Sequence, residues 1–282
     1  MIDTAQQWCQ QIDVTNLCPR RCSNCTRMLT HARNGWAMDP DTFRQAVAAL
    51  ADFPEQSPPD LYNRHKVIGL IGGEPLLHPQ FPNLCRIFAE LVPDRARRGL
   101  WTSADLDGHP YQQLIGETFG YLNHNPHQQQ VVHQPILVAV RELVEDPADM
   151  WRLIEDCWLQ KMWSGAITPK GYFYCEVAAA FDAIFDGPGG LPIEPGCWAR
   201  PLDDHRELIE RWCIRCGACV PLEGRDDWQQ RDDISPGNLE ELKRLRSPRV
   251  RRGEVVLFDA AGWCAEANRP GWNPQRYLRG ER

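Results

Sequence analysis

No apolar run in this sequence approaches the length of a membrane span, and nothing at Met1-Ile2-Asp3 resembles a secretory signal. A membrane-embedded or exported protein is therefore not expected. Positive charge is also in short supply: 31 Lys and Arg stand against 38 Asp and Glu, a net charge of -7. That balance argues against a general nucleic-acid binder, which needs a cationic surface for phosphates. No internal repeat is visible, so a stacked repeat array is not expected either. What the chain does have is cysteine, twelve in 282 residues. Cysteine at this density without an export signal points to metal ligation rather than disulfides, in a reducing cytoplasm. The rest of the composition, 43% hydrophobic and 24% charged, is that of an ordinary globular protein. The length allows a sizeable core, as one domain with an appendage or as two small domains.

Three of the cysteines sit together in Cys18-Pro19-Arg20-Arg21-Cys22-Ser23-Asn24-Cys25, spaced C-x3-C-x2-C. This is one short of a closed site, because a structural zinc or a four-thiolate cluster takes four protein ligands. A zinc knuckle or a few buried thiols is the plain alternative. Three thiolates on a 4Fe-4S cube leave one iron open to a small molecule. With Gly72-Gly73-Glu74-Pro75 following another strand, the pattern resembles the radical S-adenosylmethionine superfamily. The resemblance implies that Cys18, Cys22 and Cys25 hold a 4Fe-4S cluster whose open iron is chelated by the methionyl group of S-adenosylmethionine. One electron then breaks a carbon–sulfur bond, and the deoxyadenosyl radical abstracts hydrogen from substrate. It further implies that Glu74 binds the methionyl ammonium, with Gly72 and Gly73 before it letting backbone approach the ligand. Thr102-Ser103 closes the next strand, where Ser103 is a candidate to bond ribose or carboxylate, the alternative being a plain strand end. One position departs from the family: Asn24 stands where an aromatic residue usually precedes the third cysteine.

Along the chain, Trp8–Val14 reads as a strand that delivers the cysteine loop. Asp39-Pro40 then caps a helix carrying Phe43, Val47 and Leu50 at helical spacing. Lys66–Ile71 is a buried-strand run, Phe81–Leu91 an amphipathic helix, and Gly99–Ser103 a strand. Tyr111–Phe119 reads as helix, Tyr121–Asn123 and Gln134–Val140 as strands. Strands alternating with helices predict an α/β fold with a parallel sheet. About five or six strands fit before Pro147, too few for a closed barrel. The expected architecture is a partial (β/α)6 TIM-like barrel over residues 1–146, a small C-terminal iron–sulfur subdomain over 147–267, and a tail over 268–282.

In that second region a helix cysteine (Cys157), a hairpin cysteine (Cys175) and the pair Cys213-x2-Cys216 resemble the twitch or SPASM-like appendage of radical enzymes. The resemblance implies an auxiliary 4Fe-4S cluster on Cys157, Cys175, Cys213 and Cys216, making two clusters in all. Cys219 or Cys197 could displace one of the four, and a zinc site on Cys213, Cys216, Cys219 and Cys197 is the alternative. Cys9, Cys85 and Cys264 are isolated. Asn123, His124, Asn125 and His127, with His133 beyond, form a polar cluster after a strand. Asn123, Asn125 and, after the next apolar run, Arg141 are candidates to hold substrate or S-adenosylmethionine.

The functional expectation is a radical enzyme reduced by a protein such as flavodoxin or ferredoxin. The compact chain is similar to single-cluster twitch enzymes. The segments Asp13–Thr30 and Thr168–Ala180 are also similar to phage proteins that hypermodify thymine in DNA, where a radical isomerase converts nitrogen-linked to carbon-linked glycyl-thymine. On that reading DNA would dock on the basic run Lys243–Arg252, in the host cytoplasm. The alternatives are a radical dehydrogenase or oxidase of a peptide or small molecule, and a zinc-binding nucleic-acid module.

Overall fold

A computed structural model describes residues 1–55, 66–125, 131–162, 164–270 and 272–273. The strands β1 (Cys9–Asp13), β2 (Val67–Ile71), β3 (Arg98–Thr102) and β4 (Tyr121–His124) run parallel. The helices α1 (Pro40–Leu50), α2 (Phe81–Leu91) and α3 (Gln112–Thr118) alternate with them. At the start of α1 the Asp39 carboxylate accepts the amides of Asp41 and Thr42, and Pro40 fills the first turn where no amide partner is needed. Phe43, Val47 and Leu50 of α1 and Leu84, Ile87 and Phe88 of α2 share one core with Ile12, Ile68 and Leu70 of the sheet. Each such side chain contributes about 1.5–3 kcal/mol by burial. On the opposite face the ring of Trp101 lies over Gly69 and Gly99, where an added Cβ would meet it at 2.3 and 2.6 Å.

After β5 (Val132–His133) come α4 (Pro147–Glu155) and α5 (Trp158–Met162), then the hairpin β6 (Ser164–Thr168) and β7 (Gly171–Phe173). The sheet has six strands in the order β4-β3-β2-β1-β6-β7, all parallel except β7. An open sheet of this kind is compatible with a partial barrel. β1 is one of its two central strands, beside β2, and is buried along its whole length. The helices α6 (Glu176–Ile184) and α7 (Arg206–Trp212) follow. The C-terminal part adds β8 (Arg225–Asp226), β9 (Asp232–Ile234), α8 (Pro236–Arg244), α9 (Pro248–Arg251), β10 (Val255–Leu257) and α10 (Ala265–Asn268). β8 pairs with β5, and β9 with β10. Among the described residues no helix is long and apolar enough to cross a membrane.

Two expectations differ from the structure. The sheet does not stop at residue 146: β6 pairs with β1 from Cys9–Ser164 to Ile12–Ile167, so the hairpin belongs to the main sheet. No local signal announces a pairing between strands about 150 residues apart. The apolar run Gln134–Val140 is buried but is not a strand. Pro135 has no amide to give a ladder. The run is held by loops instead: Gly217 N–H donates to the Ile136 carbonyl at 2.9 Å and Ser235 N–H to that of Leu137 at 3.2 Å. The Gln134 side-chain amide donates to the carbonyls of Gly217 and Val220, each at 2.8 Å.

Candidate metal centres

The three-cysteine loop leaves the sheet at the C-terminal end of β1. Its first residues pack backbone to backbone on the end of β2. Gly73 N–H donates to the Thr15 carbonyl at 2.6 Å and Glu74 N–H to that of Leu17 at 2.7 Å. A Cβ at Gly72 would lie 2.2 Å from the Thr15 oxygen, and one at Gly73 would lie 2.1 Å from the Leu17 oxygen. Both glycines therefore admit the cysteine loop itself, which is a different use from the expected approach of a ligand.

Glu74 is buried and its carboxylate is fully engaged. One oxygen accepts Thr102 Oγ1 at 2.6 Å and Leu76 N–H at 3.3 Å. The other accepts Ser103 N–H at 2.9 Å and Ser103 Oγ at 3.0 Å. The structure thus brings Glu74 and Ser103 together, each on the other. Arg20, inside the cysteine loop, donates to the Ser103 carbonyl at 3.0 Å and ties the loop to the end of β3.

Cys18, Cys22 and Cys25 are each partly exposed and unpaired. Burial pushes the Cys18 thiol up to about 11, and the neighbouring Cys25 adds to this. Cys22 is raised further, first by burial and then by Cys25. Burial also raises Cys25. Arg20 opposes the rise at Cys18 and Cys22, and Arg27 opposes it at Cys25, without overcoming burial. A bound metal centre supplies the further positive charge, since thiols must lose their protons to ligate.

Five thiols form a second group. Cys157, Cys175, Cys213, Cys216 and Cys219 line one cavity of about 30 Å³ between α4, α6 and α7. Burial pushes Cys213 up to about 12 and raises the other four. Cys157 is the next largest cause for Cys175, Cys216 and Cys219. The Tyr174 hydroxyl lies 3.0 Å from Cys213 Sγ. Cys219 stands in this cavity, whereas Cys197 is packed in the core of α1 and α2. Cys9 and Cys85 are buried elsewhere, and Cys264 is exposed. Among the described residues no group of three or more Cys, His, Asp or Glu side chains is already arranged around a metal-ion position.

The remaining candidates spread out. Asn123 is half-buried on β4, in register with Trp101, and Asn125 N–H donates to the Thr102 carbonyl at 2.9 Å. Both stand at the C-terminal edge of the sheet near Ser103. His124 reaches the Ala104 carbonyl at 2.8 Å, and His127 lies outside the described residues. His133 bonds the Ser23 carbonyl at 2.7 Å, within the cysteine loop. Arg141 does not follow a strand. It is exposed in a 3-10 turn, Val140–Glu142, that packs against the turn Cys213–Arg215. In the basic run Lys243, Arg244 and Arg252 are exposed and each reaches an acid, Arg246 and Arg251 are exposed, and Arg249 is buried.

One feature is illegible in sequence patterns. Arg27, two residues after Cys25, meets Glu176, one residue after Cys175, at 3.3 Å, with Asp13 at 3.6 Å. Burial pushes Glu176 up to about 7 although Arg27 opposes it. This buried cluster lies between the two thiol groups, and Cys25 and Cys175 both act on the charge of Arg27.

No family model matches the chain, and no curated protein does. Among solved structures, the crystal structure of BtrN in complex with AdoMet and 2-DOIA is similar at 17% identity and a TM-score of 0.41. The match covers 74% of this chain and 87% of that one.

Proposed function

We propose that this protein is a radical S-adenosylmethionine enzyme with a second iron–sulfur centre. The observation that supports this best is the set of three cysteines, Cys18, Cys22 and Cys25, on one loop at the C-terminal edge of a parallel sheet. The other nine cysteines lie apart from it: five in the second cavity and Cys9, Cys85, Cys197 and Cys264 elsewhere. Such a donor set suits a 4Fe-4S cluster held at three corners. When bound, cluster and S-adenosylmethionine would supply a one-electron route to hydrogen abstraction from an unactivated carbon. The chain would position them: Cys18, Cys22 and Cys25 as ligands, with Gly72 and Gly73 seating the loop. Glu74 would hold the end of β3, leaving the Ser103, Asn123 and Asn125 edge to face the ligand. For Glu74 to receive an ammonium as well, it would have to give up one of four donors.

The second group fits a four-thiolate cluster on Cys157, Cys175, Cys213 and Cys216, with Cys219 as a fifth thiol at the same cavity. Residues 147–267 would then supply the auxiliary centre, although β6 and β7 belong to the main sheet. Two readings of the reaction follow. The likeness of Asp13–Thr30 and Thr168–Ala180 to the thymine-hypermodifying proteins supports an isomerase acting on glycyl-thymine in DNA, which needs no net electron. The second thiol group supports a dehydrogenase or oxidase, because a substrate radical that loses a further electron and proton needs an acceptor.

Anaerobically purified protein is expected to be brown, with roughly eight irons per chain. With dithionite or flavodoxin as reductant, S-adenosylmethionine and deuterated candidate substrates, deuterium should appear in deoxyadenosine. With the unlabelled substrate, a product of unchanged mass selects the isomerase, and one lighter by two hydrogens the dehydrogenase. Colourless, zinc-loaded protein would overturn the proposal.

A further inference from the structure

The cysteine loop is gripped from the far end of the chain. Asn24 is buried and takes a left-handed backbone, φ 49°, which asparagine and glycine tolerate best. Its side-chain carbonyl accepts Asp233 N–H at 2.9 Å while its amide donates to Asp233 Oδ2 at 2.8 Å. Its own backbone N–H donates to Asp232 Oδ1. Beside it, Ser23 N–H donates to the Asp227 carbonyl at 2.9 Å, and Arg231 N–H to Ser23 Oγ at 3.1 Å.

Below the loop lies Arg249, a wholly buried guanidinium. It donates to the carbonyls of Arg21 and Cys22, at 3.4 and 3.3 Å, and to Thr30 Oγ1. Asp232 balances its charge at 2.9 Å, and Arg225 balances Asp233. His31 completes the arrangement, with Nε2 at 2.8 Å from Asp232 and Nδ1 at 2.8 Å from Ser247. The carbonyls of Arg21 and Cys22 and the amides of Ser23 and Asn24 are thus bonded by Asp227, Asp232 and Arg249, some two hundred positions later.

We propose that Asn24, Asp232 and Arg249 are a clasp by which the C-terminal segment positions the Cys18–Cys25 thiols, so that assembly of the first metal centre depends on that segment. These are positioning residues: they act through the loop backbone and need no contact with a ligand. The inference deepens the proposed reading of the three thiols and rests on it for the metal, while the clasp itself is testable without metal.

Two variants separate the contributions. Asn24→Gly keeps the left-handed backbone and removes both side-chain bonds. Asn24→Asp keeps the shape but sets a third carboxylate against Asp232 and Asp233. Full-length apo-protein would be labelled anaerobically with iodoacetamide and each cysteine followed by mass spectrometry. Labelling of Cys18, Cys22 and Cys25 should rise at least about tenfold in Asn24→Asp and by less in Asn24→Gly, with Cys157 and Cys175 unchanged. After reconstitution, the same variants should lose about four of roughly eight irons and the spectroscopic signal that responds to S-adenosylmethionine. Unchanged labelling with full iron, or uniform acceleration at both thiol groups, would overturn the clasp. If the unaltered protein binds no iron but the labelling pattern holds, the metal reading falls and the clasp stands.

Discussion

Glu74 offers a sharp test, because two roles predict opposite behaviour of its amide variant. Glu74→Gln preserves shape and removes a charge and one acceptor oxygen. In the structure both oxygens are in use, each with two donors. The new amide nitrogen will settle toward Leu76 and Thr102, since the Leu76 bond, at 3.3 Å, is the weakest of the four. Thr102 Oγ1 can turn to accept from it, but Leu76 N–H is left unpaired. The bonds at Ser103 lose their charge assistance. One unsatisfied buried donor and two weakened bonds amount to about 2 kcal/mol. The measurement is urea unfolding of the apo-protein with no ligand present. A lower midpoint at unchanged slope is expected. If the apo-protein unfolds as before and only ligand affinity suffers, the carboxylate is not a brace between β2 and β3, and the reasoning fails.

Gly73→Ala should displace the cysteine loop, since the methyl would press on the Leu17 backbone at 2.1 Å; a cost of about 1–3 kcal/mol and faster labelling of Cys18 are expected, and native stability would refute it. Tyr174→Phe removes the hydroxyl 3.0 Å from Cys213 Sγ; on the proposed reading, a cluster held by the second thiol group should become harder to reduce in a spectroscopically monitored redox titration, with iron content unaltered, and an unchanged midpoint would remove Tyr174 from that role. His205 is buried between the rings of Tyr172 and Tyr174 with neither nitrogen bonded, and burial pushes it down to about 4 from 6.5. The unfolded chain then binds the extra proton between those values, so this contribution is present above pH 6.5 and is lost as pH falls toward 4, by about 3 kcal/mol in all. His205→Phe should flatten the acid limb of the stability curve, and an unchanged limb would show that other groups carry it.

Much of the scaffold was legible because its signals are local. Asp39-Pro40 marks the start of α1, and Val67–Ile71 reads as a buried strand without reference to anything distant. The spacing of Cys18, Cys22 and Cys25 is local in the same sense. What escaped depends on partners far along the chain. Gln134–Val140 looks like a strand until Pro135 and its loop partners are seen. Gly69 and Gly99 have no reading until the Trp101 ring lies over them. Asn24 was legible only as a departure from an aromatic position, whereas its amide is used to bind Asp233. Arg141 was placed by a strand that does not form.

The Arg27 cluster carries the same lesson into energetics. One guanidinium faces two carboxyls, Asp13 and Glu176, in a buried place, and burial raises both carboxyls although Arg27 opposes the rise. Buried ion pairs rarely repay their desolvation in stability, so its presence calls for another reason. The position supplies one. Arg27 and Glu176 lie within two residues of Cys25 and Cys175, in the protein layer that separates the two thiol groups. Moving either partner shifts both cysteine-bearing segments at once, because β1, the loop and the start of α6 meet there. The buried, charged contact at that junction ties the Cys25 segment to the Cys175 segment; on the proposed reading, with a cluster at each thiol group, it would hold the separation of the two constant. The buried pair is thus best understood as a spacer, whose value lies in geometry and whose cost is borne by the cores on either side.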